Sequence, residues 1–191
     1  SDKFVPHFHI PLQSGSDNLL RFMRRRYNTS LYSKRIGYIK SLIPNACIGA
    51  DVIVGFPGED EKKFMETFNF IQNLEMSYLH VFSYSERKNT RASRMENSVD
   101  KNIRSKRSKI LRTLSLKMRR DFYTKQLGNP HNVLFESENK KGFIYGFTEN
   151  YVRVKTNWSF KLANTITKRR LSRIDDDGHV ILEPVQNLVT V

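Results

Sequence analysis

The sequence predicts an α/β protein in two parts: an incomplete parallel α/β domain, then a small antiparallel β-barrel. Apolar strand-like runs alternate three times with segments of helical period between residues 4 and 84, which is typical of consecutive β/α units. A long helical pattern follows and stops at Gly128, a residue suited to ending a helix. Short alternating runs punctuated by turn residues come after it, and these indicate five or six barrel strands.

The apolar spacing and the capping residues set the predicted elements of the first part. They are a strand at 4–12, a helix capped by Ser16 or Asp17, a helix capped by Ser30 that stops at Pro44, a strand at 47–54, a helix at 59–74 and a strand at 78–84.

The stretch at 51–59 (DVIVGFPGE) is the centre of this pattern. A buried strand ends at Gly55, and the Gly-Phe-Pro-Gly turn leads to Glu59 at the start of a helix. Ligands of parallel sheets sit at the carboxyl ends of strands, and Gly55 and Gly58 would let the backbone approach one. A tight β/α turn without a ligand is the alternative, which the motif alone slightly favours.

The long helix, predicted at 97–127, is strongly basic. It has ten Lys/Arg and one acidic residue, Asp121, between residues 101 and 125. The whole chain has 191 residues and a formal net charge of +14, which indicates a polyanionic partner such as nucleic acid. We predict a domain boundary after residue 127, giving domains at 1–127 and 128–191.

Several classes of protein are excluded by composition. The single cysteine, Cys47, cannot form a disulfide framework or a multi-thiolate metal site within the chain. No apolar stretch reaches the ~20 residues of a membrane span, and no signal peptide is evident. We therefore expect a cytoplasmic protein that does not bind membranes.

Other candidate site residues follow strands one and three. Residues 13–16 (QSGS) could hold a ribose or amino-acid group, or form an ordinary turn with a helix cap. Ser85, Arg87 and Thr90 could face the same pocket. His7 and His9 share a parity on one strand, but no third ligand is near in sequence, so we expect a structural or pocket-lining role and no metal site. No catalytic constellation is evident.

Four motifs in this order resemble the radical S-adenosylmethionine tRNA methylthiotransferases. They are residues 9–17 (HIPLQSGSD), 23–27 (MRRRY), 51–59 (DVIVGFPGE) and 82–85 (FSYS). Residues 23–27, 84–90 (YSERKNT) and 148–154 (TENYVRV) resemble the branch that acts on N6-threonylcarbamoyladenosine. The last of these lies in a segment similar to the TRAM domain, a small OB-like RNA-binding β-barrel.

The resemblance implies the second half of a TIM-like radical SAM barrel followed by a TRAM domain. Family members hold two 4Fe–4S clusters with cysteines that this chain lacks, so we expect a catalytically incomplete C-terminal fragment without catalytic residues or bound cofactor. Asn89 departs from a glycine more usual in the family, which leaves the loop after the third strand uncertain. In the parent, S-adenosylmethionine would contact the ends of the present strands: Gln13, Ser14, Ser16, Gly55, Phe56, Gly58, Glu59, Ser83 and Ser85.

The parent enzyme is therefore predicted to add a methylthio group to carbon 2 of N6-threonylcarbamoyladenosine at position 37, through a 5′-deoxyadenosyl radical. The alternatives are the isopentenyl-adenosine branch and a non-enzymatic RNA-binding protein with a decayed barrel. The expected partner is the tRNA anticodon stem-loop, with self-association through the exposed edges of the cut barrel. Basic residues and one aromatic of the small barrel are the predicted RNA contacts: Arg153, Lys155, Trp158, Lys168, Arg169 and Arg170.

Overall fold

A computed structural model describes residues 4–183. The chain divides into two compact units. Of the described residues, one unit is Phe8–Arg119, and the other combines residues 4–7 with residues 120–183. The division falls within the long helix, and the predicted boundary after residue 127 stays a prediction.

The first unit is a three-stranded sheet with helices, and it confirms the predicted parallel α/β architecture. The strand order is β1-β2-β3, and β2 and β3 run parallel with Asp51 opposite His80. The elements are β1 (His7–His9), α1 (Asp17–Phe22), α2 (Thr29–Leu42), β2 (Cys47–Val54), α3 (Glu61–Gln72), β3 (Tyr78–Ser83) and α4 (Lys101–Thr124), with a 3-10 turn at Ala92–Arg94 before α4.

Several element ends differ from the sequence prediction. The N-cap of α2 is Asn28, whose side chain accepts a hydrogen bond from the Leu31 amide, so the prediction of Ser30 was wrong. Asp60 caps α3 in the same way, which leaves Glu59 in the preceding turn. β1 is shorter than predicted, although Gln13 still forms a parallel bridge with Val52.

The apolar core of this unit lies on one face of the sheet. Ala50 and Val52 of β2 lie opposite Leu79 and Val81 of β3. These residues are buried and belong to one core cluster with helical side chains such as Phe64, Ile71 and Leu111. The opposite face of the sheet carries the intervening residues, of which Cys47 and Gly49 are buried, whereas Asp51, Ile53 and the corresponding residues of β3 are partly or largely exposed.

The outer edge of β3 is covered by α4. The Ser115 hydroxyl accepts a hydrogen bond from the Leu79 amide at 2.8 Å and donates one to the Leu79 carbonyl at 3.1 Å. Arg112 donates to the Val81 carbonyl at 3.3 Å. Side chains of α4 therefore partner three backbone groups of this edge. The expected self-association through exposed edges stays a prediction.

The second unit is a closed five-stranded barrel in the order β4-β5-β6-β8-β7. Its strands are β4 (Pro130–Phe135), β5 (Phe143–Thr148), β6 (Arg153–Asn157), β7 (Ile166–Ile174) and β8 (Val180–Leu182), with a 3-10 turn at Phe160–Leu162. The β6–β8 pair runs parallel, so the prediction of an entirely antiparallel barrel was wrong. Among residues 4–183, no helix has the length and apolar character needed to cross a membrane.

Candidate functional site

The Gly-Phe-Pro-Gly turn after β2 is fixed by the side chain of Glu59. The Gly55 amide donates to Glu59 Oε1 at 2.9 Å. Both Gly55 and Gly58 have positive φ, at 76° and 86°, a conformation that favours glycine. Glu59 is buried, so its carboxylate shapes the turn from inside.

Two arginines of α4 complete this arrangement. Arg107 Nη1 donates to Glu59 Oε1 at 2.8 Å and to the Glu59 carbonyl at 3.1 Å. Burial raises the pKa of Glu59, while the hydrogen bond from Gly55 and the charge of Arg107 oppose that rise. Arg104 donates to the carbonyls of Val99 and Tyr84. Both arginines are buried. Two cations of the predicted basic helix therefore hydrogen-bond to the segments that follow β2 and β3 and are not on the surface.

The Gln13–Ser16 segment also uses most of its polar groups internally. The hydroxyls of Ser14 and Thr67 lie 3.1 Å apart, and the Ser16 hydroxyl donates to Glu66 at 2.6 Å. Gln13 has a φ of 69° and closes β1 against β2. Ser14 and Ser16 therefore position the turn, whereas Gln13 reaches the cleft described next.

A cleft of about 530 Å³ lies beyond the ends of β2 and β3. Three of the predicted cofactor-binding residues line it, namely Gln13, Ser83 and Ser85. Ile53 and Phe82 supply an apolar surface. The remaining lining residues are Asp51, Tyr84, Arg87, Thr90 and Ala92. The six other predicted residues do not line this cleft; Gly55 and Glu59 build the turn beside it.

A second group of polar side chains lies on the same face of the sheet and shares Asp51 with the cleft. His9 Nε2 is 2.9 Å from Asp51 Oδ1, and His80 Nδ1 is 3.4 Å from the same oxygen. Sequence reasoning missed Asp51 and His80 as neighbours of His9, because only strand pairing brings the three together. His7 instead stacks on Tyr151, with ring centroids 4.0 Å apart.

The predicted RNA-contact residues of the barrel fall into separate groups. Arg153 forms a bidentate pair with Glu136, and this hydrogen bonding lowers the pKa of Glu136. Lys155 is buried and ion-paired with Asp175, whose hydrogen bond raises the pKa of Lys155. Trp158 is half-buried just after β6.

The other three basic residues lie on β7, which β8 separates from β6. Lys168 and Arg170 are exposed, while Arg169 between them has the opposite parity and is only partly exposed. Strand alternation therefore prevents these three residues from forming one continuous basic patch.

An aromatic row on β5 was missed by sequence reasoning. Ile144 and Thr148 point inward and are buried, so Phe143, Tyr145 and Phe147 lie on the outside of the barrel. The Arg153 guanidinium lies 5.1 Å from the Tyr145 ring centroid and 4.4 Å from that of Phe147. The alternation of aromatics was visible in the sequence, but small inward residues such as Gly146 gave no sign of which side faced the core.

Comparisons with known proteins agree with the resemblance of the motifs. Residues 2–71 match the radical SAM superfamily. The chain is 40% identical over 177 residues to threonylcarbamoyladenosine tRNA methylthiotransferase MtaB of Bacillus subtilis, covering 90% of this chain and 39% of that protein. MtaB of Aquifex aeolicus is 40% identical over 154 residues, covering 81% of this chain and 36% of the relative.

A relative from another branch matches over a longer stretch. The tRNA-2-methylthio-N(6)-dimethylallyladenosine synthase of Symbiobacterium thermophilum is 32% identical over 190 residues, covering 97% of this chain and 40% of that protein. The chain thus spans about two fifths of the length of the curated relatives it matches. The predicted resemblance to the radical SAM tRNA methylthiotransferases is confirmed.

Proposed function

We propose that this chain is the C-terminal part of a tRNA methylthiotransferase, in which the sheet unit contributes to the cofactor pocket and the barrel unit is a TRAM-like RNA-binding module. The similarity to named methylthiotransferases over most of the chain carries this proposal. A protein with this substrate would act in the cytoplasm, where we expect the parent enzyme.

The cleft at the strand ends suits part of a nucleoside cofactor. Ile53 and Phe82 offer an apolar surface to a base, while Gln13, Ser83 and Ser85 offer polar groups to a ribose or an amino-acid group. These residues would hold S-adenosylmethionine, which would supply the radical chemistry of the reaction. The neighbouring turn keeps its shape through the buried Glu59.

The iron–sulfur clusters do not fit the residues of this chain. Cys47 is the only cysteine, and it is buried. Burial raises its thiol pKa to about 11, against the smaller effects of Ser77 and Lys40. Since thiolates hold such clusters, the cluster ligands of the parent enzyme must lie outside this chain.

We assign the parent to the N6-threonylcarbamoyladenosine branch. Identity is 40% to MtaB of Bacillus subtilis and 32% to the dimethylallyladenosine synthase of Symbiobacterium thermophilum. The test is to express the full-length parent in a bacterial host that lacks both methylthio modifications, and to analyse tRNA nucleosides by mass spectrometry. We expect the 2-methylthio derivative of threonylcarbamoyladenosine. The isopentenyl derivative would assign the other branch, and the absence of both would refute the enzymatic proposal.

The aromatic row is the proposed contact for unpaired bases of the anticodon stem-loop. Tyr145 and Phe147 lie beside the Arg153 guanidinium on the outside of the barrel. Unpaired RNA bases stack on aromatic rings and on guanidinium planes. The five-stranded closed barrel also supports the assignment, because OB-type barrels bind oligonucleotides on the face of their second and third strands, here β5 and β6.

The RNA proposal is tested by fluorescence anisotropy with a labelled anticodon stem-loop at several salt concentrations. Tyr145→Ala should weaken binding by about 1–3 kcal/mol with little change in salt slope. Replacing Lys168 and Arg170 together should lower the slope by up to about two units, if both meet phosphates. Phe160→Ala is the aromatic control, since this exposed ring lies outside β5. Loss of binding in Trp158→Ala with none in Tyr145→Ala would refute the row as the contact.

A further inference from the structure

The His9, Asp51 and His80 side chains form one compact cluster on three adjacent strands. Each residue offers one ligand atom, and the three atoms lie within 4.8 Å of one another. The strand register explains the cluster, because Asp51 is directly opposite His80 and the Ile10 amide donates to the Gly49 carbonyl beside His9. The cluster belongs to the open face of the sheet, away from the apolar core.

The chemistry of the three groups is that of a transition-metal site. Two imidazoles and one carboxylate with further positions open are a recurring ligand set for divalent first-row metals. His9 Nε2 and His80 Nδ1 both point to the same Asp51 oxygen. The 3.4 Å separation at His80 is longer than an ordinary hydrogen bond, whereas His9 lies at hydrogen-bond distance from the same oxygen.

The cluster lies beside an aromatic ring and is open to solvent. Tyr78 lies against it, with its ring centroid 5.2 Å from that of His80 and 6.4 Å from that of His9. The two histidine centroids are 5.1 Å apart. The side chains of His9, Asp51 and His80 are 34%, 25% and 55% exposed. A metal ion could therefore enter from solvent while the strands hold its ligands in place.

The other candidate cluster in the described residues is Asp175, Asp177 and His179. There the cationic Lys155 already pairs with Asp175 and lies 3.4 Å from Asp177. A protein ammonium group occupies the position that a metal ion would need, so this loop serves as an internal comparison.

We propose that His9, Asp51 and His80 form a binding site for a divalent first-row metal of the zinc type, with open coordination positions. The site uses only residues of the three-stranded sheet, and it stands whether or not the proposed function is correct. Cys47 is not one of the residues whose ligand atoms come together there.

The test uses the whole 191-residue chain without a histidine tag. Zn²⁺ binding is measured by isothermal titration calorimetry, and Co²⁺ serves as a spectroscopic substitute. We expect one ion per chain, a Co²⁺ spectrum without thiolate charge transfer, and shifted imidazole nitrogen signals of His9 and His80 in NMR spectra.

Two variants separate ligation from folding. His80→Ala removes the most exposed ligand, and Asp51→Asn keeps the shape of the side chain while removing its charge. Each should weaken Zn²⁺ binding at least about tenfold with unchanged circular dichroism. His179→Ala should leave binding unchanged. The proposal is overturned by an absence of saturable binding to the wild type, by stoichiometric binding in the double variant His80→Ala/Asp51→Asn, or by loss of binding in His179→Ala.

Discussion

Removal of the Arg107 guanidinium is expected to destabilise the sheet unit severely. Its Nη1 bonds to the carboxylate and carbonyl of Glu59, and its Nη2 lies 3.0 Å from Glu61 Oε2. The Arg107 and Glu59 side chains are only 7% and 2% exposed. Arg107→Ala would leave the Glu59 carboxylate buried with the Gly55 amide and without its counter-ion.

The expected cost follows from that burial. Breaking a buried ion pair from one side costs about 3–5 kcal/mol, against a total stability of roughly 5–15 kcal/mol for a typical domain. The contact with Glu61 adds little, because that side chain is 73% exposed and exposed pairs contribute at most about 1 kcal/mol. Nearly all of the loss should therefore come from Glu59.

The same reasoning gives a pH dependence with a definite sign. Burial raises the folded-state pKa of Glu59 above its ordinary value of 4.5. Its contribution to stability is therefore fully present below that value and is lost as pH rises through the folded pKa. Arg107→Ala removes a group that opposes the rise, so the variant should lose more stability at pH 7 than at about pH 4, where the carboxyl group is protonated.

Urea unfolding followed by far-UV circular dichroism measures the effect at both pH values. Lys106→Ala is the matched control, because it removes one exposed positive charge from the same helix. The double variant Glu59→Gln/Arg107→Met should recover much of the loss, since neither side chain then carries a charge. A cost in Arg107→Ala equal to that of the control, or equal losses at the two pH values, would refute the reasoning.

Two further predictions concern the backbone. Gly55→Ala should lower the free energy of unfolding by at least about 1–2 kcal/mol, because Gly55 has a left-handed φ. Gly37→Ala should raise it by about 0.5–1 kcal/mol, because a Cβ at this position in α2 would meet no other atom. Thermal melts compare the two variants, and equal effects would contradict the left-handed conformation of Gly55. Ser115→Ala should leave the Leu79 amide and carbonyl at the edge of β3 without their hydrogen-bond partner. Light scattering should then show concentration-dependent association, with Thr113→Ala as the control. A Ser115→Ala variant that stays monomeric would show that the Ser115 hydroxyl is not needed to prevent association at this edge.

The strands and helices were predictable where local pattern and burial agree. β2 was predicted with its observed ends, because an apolar run stops at a Gly-Phe-Pro-Gly turn that neither a helix nor a strand continues through. The cap of α2 was not, since Asn28 and Ser30 both suit that position and only the path of the chain selects Asn28. The outward register of β5 was equally hidden, because aromatic residues tolerate either face of a strand.

The site was less predictable than the fold because its contacts are long-range. The turn residues around Gly55 were identified from sequence, but the buried Arg107 that holds Glu59 lies on a distant helix. The approach of His9, Asp51 and His80 depends on the register of three strands. Sequence spacing alone could not reveal either relation.

The basic helix α4 shows why a count of charges overstates the surface available to RNA. Arg104 and Arg107 point inward and spend their donors on carbonyls and carboxylates at the strand ends, a role that suits the multiple donors of a guanidinium. The lysines of the same helix, including Lys106 and Lys109, remain exposed. Arg112, Arg119 and Arg120 are exposed as well. The attraction of the helix for a polyanion should therefore depend on these exposed cations and not on the two buried arginines.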